Sequence, residues 1–444
     1  MSLTLCRPSK RLLLFEVVRF LTSTTSTPAS SSKWNSSIKN ASSPQKSLQI
    51  YTEMHRQSIP VDSYAVLYTL TASTHLHNLP LLRHLHAHIT KLGFTSNVYI
   101  MSSLLHGYSS TCFDDARVVF DEMPERTIVT WNTMITGFSR SGNVNKARYL
   151  FDEMPIRNSA SWSAMIASYI NSNQPKKGLA LFHKMLTIEK LKPDHFTLCT
   201  ILTACGHMGT IGLILGKSIH TFIIRNKYDL NVELGTSLIN MYAKSGFLKL
   251  ASIVFNMMQY TNVVSWTALI CGAAQHGHIN EAKSLFHKMQ KSRIKPNEFT
   301  FTGILNACVH AGLVNEGRNY FKMMNDYGLK PKIHHYCCMV DLLGKAGELE
   351  DAYEIIVKME LELDANINVL GSFLYSCKVQ CDFKMAERVI DRVMKILNPE
   401  KDGGVYSLIA DLFVMGEKWD DAERVRRLMV RENVRKTRGV SFIK

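Results

Sequence analysis

Histidine and cysteine side chains come closest to a reactive constellation, because two groups of them have the spacing of metal ligands. His84 and His88 are four residues apart, which would place both rings on one face of a helix. The second group consists of His334, His335, Cys337 and Cys338. The first group has no acidic or third ligand nearby, and neighbouring residues on a helix, as in the second group, point apart. Because the sequence also lacks a C-x-x-C motif, it predicts neither a metal site nor a cofactor.

Composition and charge describe an ordinary folded chain with basic ends. The 444 residues are 46% hydrophobic and 20% charged, and the net charge of +15 suggests an anionic partner. Residues 1–33 hold five Lys or Arg against one Glu, and residues 421–444 hold eight against three acidic residues. The chain between them is only mildly basic, so charge alone does not establish nucleic-acid binding.

Apolar runs and cysteines exclude two other classes of protein. The longest apolar run, at 12–21, is interrupted by Glu16 and Arg19 and falls short of the roughly 18 residues that span a bilayer. We therefore predict no membrane segment. Ten cysteines at irregular spacing favour free, buried thiols in a reducing compartment over a disulfide framework.

The N-terminus has the composition of an organelle transit peptide. Residues 1–33 carry Arg7, Lys10, Arg11 and Arg19 with a single acid, and nine of the eleven residues at 22–32 are Ser or Thr. The arginine-rich stretch favours a mitochondrial address, while the Ser/Thr tract leaves a chloroplast open. The alternative is a disordered tail that holds a chance basic helix.

Internal repeats determine the predicted architecture. The segment VFDEMP at 119–124 returns as LFDEMP 31 residues later, LFHKM at 181–185 returns after 104 residues, and ILTAC at 201–205 returns as ILNAC after 103. The WNSSI segment at Trp34 returns as WNTMI at Trp131 after 97 residues. A unit of 31 to 37 residues, grouped in threes, explains these shifts, and such periods indicate a repeat array.

Each unit has the pattern of two amphipathic helices. Apolar residues recur at helical spacing in two stripes separated by a turn, first at Trp266, Leu269, Ile270 and Ala273, then at Ala282, Leu285, Phe286 and Met289. One helical hairpin cannot bury both of its faces, so neighbouring hairpins must stack. The predicted fold is an all-α solenoid superhelix with a long binding groove.

The order of these segments resembles one repeat family. Tetratricopeptide repeats have a constant length and a W-x2-L-G-x2-Y pattern, which is absent here. Units of variable length with SWTALI, LFHKM and IKPN in succession instead resemble pentatricopeptide repeats (PPR), over residues 31–444. The order of lengths resembles the plant PLS subclass, whose repeats are of P, L and S types. The predicted repeats span 31–62, 63–97, 98–127, 128–158, 159–194, 195–231, 232–262, 263–297, 298–332 and 333–364.

The C-terminal segments, at about 365–400 and 401–444, resemble the two E motifs of the E subgroup. This region departs from the E-motif pattern in two places, and both concern its expected function in docking partner proteins. Leu370 occupies the place of a usual Trp, and Arg438 and Phe442 replace the usual Pro and Trp.

The resemblance implies that each repeat reads one base of single-stranded RNA through its fifth and last residues. An Asp carboxylate can accept from the ring N–H of uracil or guanine, and an Asn amide can match the donor and acceptor of adenine or cytosine. In the family, Thr or Ser at the fifth position favours purines and Asn favours pyrimidines. The implied RNA-binding pairs are Asn35 with Asp62 for U, Asn132 with Asn158 for C or U, Ser163 with Asp194 for G, Thr236 with Asn262 for A, Thr267 with Asn297 for A, and Cys337 with Asp364, which is not informative.

These positions also have ordinary structural explanations. Asn, Ser and Thr at a helix start are common N-caps, and KPD or KPN is common turn chemistry. Val129 and Val264, just before two aromatic positions, would pack against bases by family analogy or belong to the core.

The resemblance implies a role in RNA editing without catalysis by this chain. Family members that deaminate cytidine carry a C-terminal zinc domain with H-x-E and P-C-x-x-C elements, and the present sequence ends at Lys444 without them. We therefore predict no enzyme activity and no small-molecule substrate. The expected function is site recognition for C-to-U editing of organelle transcripts, with a DYW-type deaminase and other editing factors recruited in trans. The alternatives are splicing, stability or processing of organelle RNA, and a protein–protein scaffold.

Overall fold

A computed structural model describes residues 31–363, 366–400, 402–432 and 434, and in these ranges the regular elements are helices. The predicted transit peptide therefore falls almost wholly outside the described residues. The chain divides after Ala204 into two compact units. The helices up to the division are α1 (Ser31–Lys39), α2 (Pro44–Arg56), α3 (Ser63–His75), α4 (Leu79–Lys91), α5 (Val98–Thr111), α6 (Phe113–Glu122), α7 (Ile128–Arg140), α8 (Val144–Glu153), α9 (Ser159–Asn171), α10 (Pro175–Thr187) and α11 (His195–Gly206), in which the division falls.

The second unit continues the same alternation of helices. Its helices are α12 (Gly209–Arg225), α13 (Val232–Lys244), α14 (Leu248–Met257), α15 (Val263–Gln275), α16 (Ile279–Lys291), α17 (Glu298–Ala311), α18 (Val314–Asp326), α19 (Ile333–Lys345), α20 (Leu349–Glu362), α21 (Ile367–Val379), α22 (Phe383–Ile396), α23 (Gly403–Met415) and α24 (Trp419–Arg431). A short 3-10 helix, Phe94–Ser96, precedes α5 in the first unit.

Within each unit, the first helices of successive pairs pack against one another. In the first unit this row runs through α1, α3, α5, α7 and α9, and in the second through α13, α15, α17, α19, α21 and α23. The second helix of each pair packs on its own first helix and, in most pairs, on the next one as well. The predicted all-α solenoid fold is confirmed, and the row of first helices is the surface that carries the predicted RNA-binding pairs.

The predicted apolar stripes form the core. In α15, Trp266, Leu269, Ile270 and Ala273 are buried, and in α16 so are Ala282, Leu285, Phe286 and Met289. The stripes have this effect because residues three and four apart lie on one face of a helix.

Aromatic pairs connect one repeat to the next. The edge-to-face pair recurs as Phe120 with Trp131, Phe151 with Trp162, and Phe255 with Trp266, at centroid distances of 5.1, 5.1 and 4.6 Å. In each, a Phe from the second helix of one repeat meets a Trp from the first helix of the next. Such pairs add about 0.5–1.5 kcal/mol to the effect of their burial.

Two arginines at equivalent positions of the repeated segments also bond the C-terminal ends of helices. In the M-P-x-R segments, Arg126 and Arg157 bond the last carbonyls of the preceding helix, with Arg157 Nε donating to Phe151 O at 2.7 Å. The guanidinium carbon of Arg157 also lies 5.2 Å from the centroid of the Phe151 ring. These arginines therefore satisfy backbone acceptors that a helix C-terminus leaves without partners.

Glycine permits a close approach between two first helices. A Cβ on Gly272 of α15 would lie 2.4 Å from the Cβ of Ala243 in α13. Only two small residues fit at this crossing, and their contact sets the separation of the two helices.

Leu370 of α21 is fully buried. The replacement of the usual Trp by Leu370 therefore changes the buried interior of the helical pair and leaves the exposed surface unaltered at this position. Arg438 and Phe442 lie outside the described residues.

The aromatic contact between Phe151 and Trp162 yields a test of the core. We expect Phe151→Ala to lower the free energy of unfolding by about 3–5 kcal/mol, because it removes a buried ring and leaves a cavity. Chemical denaturation followed by circular dichroism measures the change. Tyr149→Ala, at a side chain 62% exposed on the same helix, is the control, and equal losses in the two variants would contradict the packing role.

Candidate nucleic-acid interface

The last residue caps the following first helix in eight predicted repeats, and in five of them it belongs to a predicted RNA-binding pair. Its Oδ1 accepts a backbone N–H three residues on: Asp62 from Ala65 at 2.9 Å, Asn158 from Ser161 at 3.0 Å, Asp194 from Thr197 at 2.8 Å, Asn262 from Ser265 at 3.1 Å, and Asn297 from Thr300 at 3.0 Å. The N-cap alternative drawn from the sequence is therefore correct for all five. The cap uses one polar atom of the side chain, and the second polar atom is Nδ2 in Asn and Oδ2 in Asp.

In the first repeat, the predicted pair is joined by a direct hydrogen bond. Asn35 Nδ2 donates to Asp62 Oδ2 at 2.7 Å. The Oδ1 atom of Asn35 is buried and has no hydrogen-bond partner among the described residues. A buried acceptor of this kind is complementary to a ligand N–H, because leaving it unpaired costs about 1–3 kcal/mol.

The fourth repeat presents its fifth residue in a cleft between α5 and α7. The cleft has a volume of about 290 Å³ and is lined by His106, Ser109, Val129, Asn132, Thr133, Thr136, Gly137 and Arg140. Here too, Oδ1 of the fifth residue, Asn132, is buried with no partner in the described part of the chain. One cleft thus combines an apolar wall, a hydrogen-bond acceptor and a guanidinium group, which suits a base and its phosphate.

In the fifth, seventh and eighth repeats, a third residue joins the predicted pair. This residue is the third of the following repeat, and its hydroxyl lies between the fifth residue and the cap. Ser163 contacts Thr197, which bonds Asp194; Thr236 contacts Ser265, which bonds Asn262; and Thr267 contacts Thr300, which bonds Asn297. We call each such set a hydroxyl relay.

The tenth predicted pair is only partly described. Cys337 is half-buried, and burial raises the pKa of its thiol, so the residue is a neutral, weakly polar group. Its partner Asp364 lies outside the described residues. This pair therefore predicts no base.

The second residue of most repeats is an exposed apolar side chain, which the sequence analysis recognised only at two valines. Val129 and Val264 are 65% and 52% exposed, which excludes the core alternative for them. The same position holds further exposed aromatic residues in other repeats: Tyr64, Tyr99, Phe196 and Phe299. The signal that identifies them is their register, one residue after the predicted repeat start.

Three of those aromatic residues, Tyr64, Phe196 and Phe299, belong to the second, sixth and ninth predicted repeats. The resemblance implies that these three are L-type repeats, whose polar pairs predict no base. The ring of Phe299 lies parallel to that of His334, the second residue of the next repeat, at an interplanar angle of 3° and a centroid distance of 6.1 Å.

Two of the histidines singled out as possible ligands, His88 and His335, have structural partners. His88 is buried, its Nδ1 lies 3.1 Å from the Tyr51 hydroxyl, and burial together with nearby His55 and Lys91 lowers its pKa to about 4. His335 Nδ1 accepts from the Lys332 N–H at 3.0 Å, so its Nε2–H donates to the Glu298 carbonyl at 2.8 Å. Among the described residues, no cluster of three or more His, Cys, Asp or Glu side chains could hold a metal ion.

The structure also tests the predictions of free, buried cysteines and of no membrane segment. Cys205, Cys308, Cys338 and Cys377 are buried free thiols, but Cys381 is exposed, so burial does not extend to every cysteine. In the described ranges, no helix is both long and apolar enough to cross a bilayer.

Family models and relatives decide the family of the chain. A PPR repeat family model matches residues 261–310, and PPR repeat models match 125–155, 160–188, 236–263, 299–329 and 334–362. The mitochondrial PPR protein At1g77170 of Arabidopsis thaliana is 32% identical over 92% of this chain and 81% of its own length. The chain belongs to the pentatricopeptide repeat family.

Two further Arabidopsis thaliana PPR proteins are longer than this chain. At1g33350 is 41% identical over 81% of this chain and 66% of its own length. The chloroplastic protein CRR2 is 33% identical over 91% of this chain and 58% of its own length. The chain therefore spans about two thirds of the first relative and less of the second.

An E motif model matches residues 381–444, after the last PPR match. The combination of PPR repeats and an E motif agrees with the PLS class and E subgroup expected from the sequence. The repeat boundaries and the division into two E motifs stay predictions, as do the base-reading roles of the paired residues.

Substitutions at one cap, Asn297, test its structural role apart from its proposed role in base recognition. We expect Asn297→Ala to lower the free energy of unfolding by about 1 kcal/mol, because the first turn of α17 loses its side-chain acceptor. Asn297→Asp should retain the cap and the stability, since Asp also supplies an oxygen there. Denaturant titration measures both, with Asn315→Ala on the exposed face of α18 as the control. A stable Ala variant would refute the capping role.

Proposed function

We propose that this PPR protein binds single-stranded RNA of a plant organelle in a sequence-specific manner and marks sites for C-to-U editing. The observation that carries the proposal is the hydrogen-bonded connection of predicted fifth and last residues, direct in the first repeat and through a hydroxyl in the seventh and eighth. These residues lie 26 or more positions apart in sequence, and a purely structural cap needs no such partner.

The chemistry of the last residue supports a one-atom test of the base. Because the cap uses Oδ1, an Asn offers its Nδ2 donor, which suits the ring acceptor of adenine or cytosine. An Asp offers Oδ2, an acceptor for the ring N–H of uracil or guanine. This refines the expectation that Asn would use both of its polar atoms on the base.

The exposed second residues supply the non-specific part of the binding. Base stacking on an aromatic face contributes about 1–3 kcal/mol per base and tolerates any base. Tyr64, Phe196 and Phe299 thus allow the L-type repeats to hold nucleotides that their polar pairs do not read.

By family resemblance, the repeats align 5′ to 3′ with the RNA, and the last S-type repeat lies four nucleotides before the edited cytidine. The predicted target reads U, two unread bases, C or U, G, one unread base, A, A, two unread bases, three spacers, and C. The E motif at 381–444 supports recruitment of a DYW-type deaminase and other editing factors in trans. A splicing, stability or processing factor would use the same groove and has no need of an E motif.

The compartment follows from the N-terminal composition and from the labels of the relatives. Arginines in residues 1–33 favour mitochondria, and the relatives At1g77170 and CRR2 are labelled mitochondrial and chloroplastic respectively. We propose a mitochondrial protein, with the chloroplast as the alternative.

The reading role of the eighth repeat can be tested by one substitution. We expect Asn297→Asp to change the preferred base there from A to G, because an acceptor replaces the donor while the cap remains. Binding to RNA oligonucleotides that differ only at this base measures the change. The preference of the seventh repeat, with Asn262, is the internal control, and an unchanged preference at the eighth would refute the register.

Stacking predicts a loss of affinity without a change of preference. We expect Phe299→Ala to weaken RNA binding by about 1–3 kcal/mol, equally for every base at the ninth repeat. Tyr260→Ala is the matched control, because this tyrosine is 73% exposed but does not occupy a second position. Equal losses in the two variants, or no loss with Phe299→Ala, would contradict the stacking role.

The editing role is tested by sequencing mitochondrial and plastid transcripts in a loss-of-function line and its parent. We expect one or a few cytidines to stay unedited, with upstream bases that match the predicted target. Altered introns or transcript ends with intact editing would instead support the processing alternative, and unchanged RNA in both organelles would count against RNA recognition.

A further inference from the structure

The hydroxyl relays of the seventh and eighth repeats have a defined direction. Thr300 Oγ1 donates to Asn297 Oδ1 at 3.0 Å and accepts from the backbone N–H of Asn297 at 3.2 Å. Since Thr300 has a single hydroxyl proton, and it is already donated, its 2.6 Å contact with Thr267 Oγ1 must be one in which Thr267 donates. The proton of Thr267 is therefore committed away from any ligand.

The seventh repeat has a related arrangement. Ser265 Oγ lies 3.3 Å from Asn262 Oδ1, to which it can only donate, and 3.0 Å from Thr236 Oγ1. Asn262 Oδ1 also accepts the backbone N–H groups of Val264 and Ser265, at 2.9 and 3.1 Å. Three donors thus share this oxygen, and when the Ser265 proton is directed to it, Thr236 is the donor in the second contact.

Engaged protons and lone pairs determine what a ligand meets. The threonine at the fifth position has only oxygen lone pairs left, which accept, and the amide at the last position has Nδ2, which donates. Adenine presents an amino donor beside a ring acceptor, which is complementary to this arrangement. Guanine presents a ring N–H beside a carbonyl acceptor, so it would oppose donor to donor and acceptor to acceptor.

We infer that the third residue of the following repeat is a positioning residue for base selection, and that Ser265 and Thr300 act in this way for the seventh and eighth repeats. The inference rests on the proposed RNA-binding function. Each hydroxyl fixes the direction of the hydrogen bonds between the fifth residue and the cap. The threonine oxygen at the fifth position is then left as an acceptor for a base, and the amide nitrogen at the last position as a donor. The recognition unit then has three residues and extends across a repeat boundary.

The ninth repeat provides a contrast within the same chain. Its last residue is Lys332, which has no side-chain acceptor, and the third residue of the next repeat is His335 rather than a hydroxyl residue. The fifth residue, Thr302, donates to the Glu298 carbonyl of its own helix at 2.9 Å. The relay is therefore not a general property of threonine at the fifth position.

The test compares base selectivity at two adjacent positions. Thr300→Val keeps the shape of the side chain but removes the hydroxyl, and Ser265→Ala does the same in the neighbouring relay. The probes are RNA oligonucleotides of the predicted target sequence with A or G opposite the seventh or the eighth repeat. We expect Thr300→Val to reduce the A-to-G affinity ratio at the eighth position about 3- to 10-fold, and Ser265→Ala to do so only at the seventh.

Two controls distinguish positioning from a general loss of structure. Thr300→Ser should restore the ratio, because it returns the hydroxyl. Ser237→Ala, which removes an exposed hydroxyl that bonds its own helix at Glu233, should leave both ratios unchanged. If Thr300→Val fails to fold, Ser265→Ala applies the same test in a different helix.

The outcomes separate this inference from the function on which it rests. Selective wild-type protein with unchanged ratios in both hydroxyl-free variants would overturn the relay and leave RNA recognition intact. Ratios that fall equally at both positions in every variant would also overturn it. Wild-type protein that shows no preference for any RNA would overturn the proposed function, and the relay inference with it.

Discussion

A first helix begins with backbone N–H groups that have no acceptor within the helix, and after eight of the predicted repeats a side-chain oxygen of the preceding residue satisfies one of them. This requirement favours an Asn or Asp at the end of the repeat, which is present in seven of the eight, and turns its Oδ1 toward the helix. What remains variable is the other polar atom. Exchanging Asn for Asp therefore preserves the cap while it replaces a donor by an acceptor, so the sequence can change its ligand preference without a change of fold.

The caps lie beside the fifth residues only because successive first helices pack closely. The aromatic contact of Phe255 with Trp266 and the small residues Gly272 and Ala243 bring α13, α14 and α15 together. At that separation the hydroxyls of Thr236 and Ser265 are 3.0 Å apart, although 29 positions separate them in sequence. Core packing between repeats and the geometry of the candidate site therefore have the same physical cause.

The sequence predicted what depends on local patterns. The stripe through Trp266 and Ile270 identified the helical hairpins because burial follows from spacing along one helix. Thr300 escaped notice because its role depends on Thr267, 33 positions earlier and on another helix. The local sequence pattern also does not predict which aromatic side chains are exposed. Phe299 is 58% exposed and Phe301 is fully buried, and this difference depends on the positions of the neighbouring helices.

Two kinds of fifth residue imply two physical routes to selectivity. Asn35 and Asn132 each hold a buried oxygen without a partner in the described structure, and such an acceptor carries a cost of about 1–3 kcal/mol until a donor reaches it. Thr267 carries no such cost, because its hydroxyl is already bonded. Under the proposed base recognition, the asparagine repeats would gain free energy when a base donates a hydrogen bond to this oxygen. The threonine repeats would discriminate against a wrong base by its opposed polarity, and this second mechanism requires that the relay keep its direction.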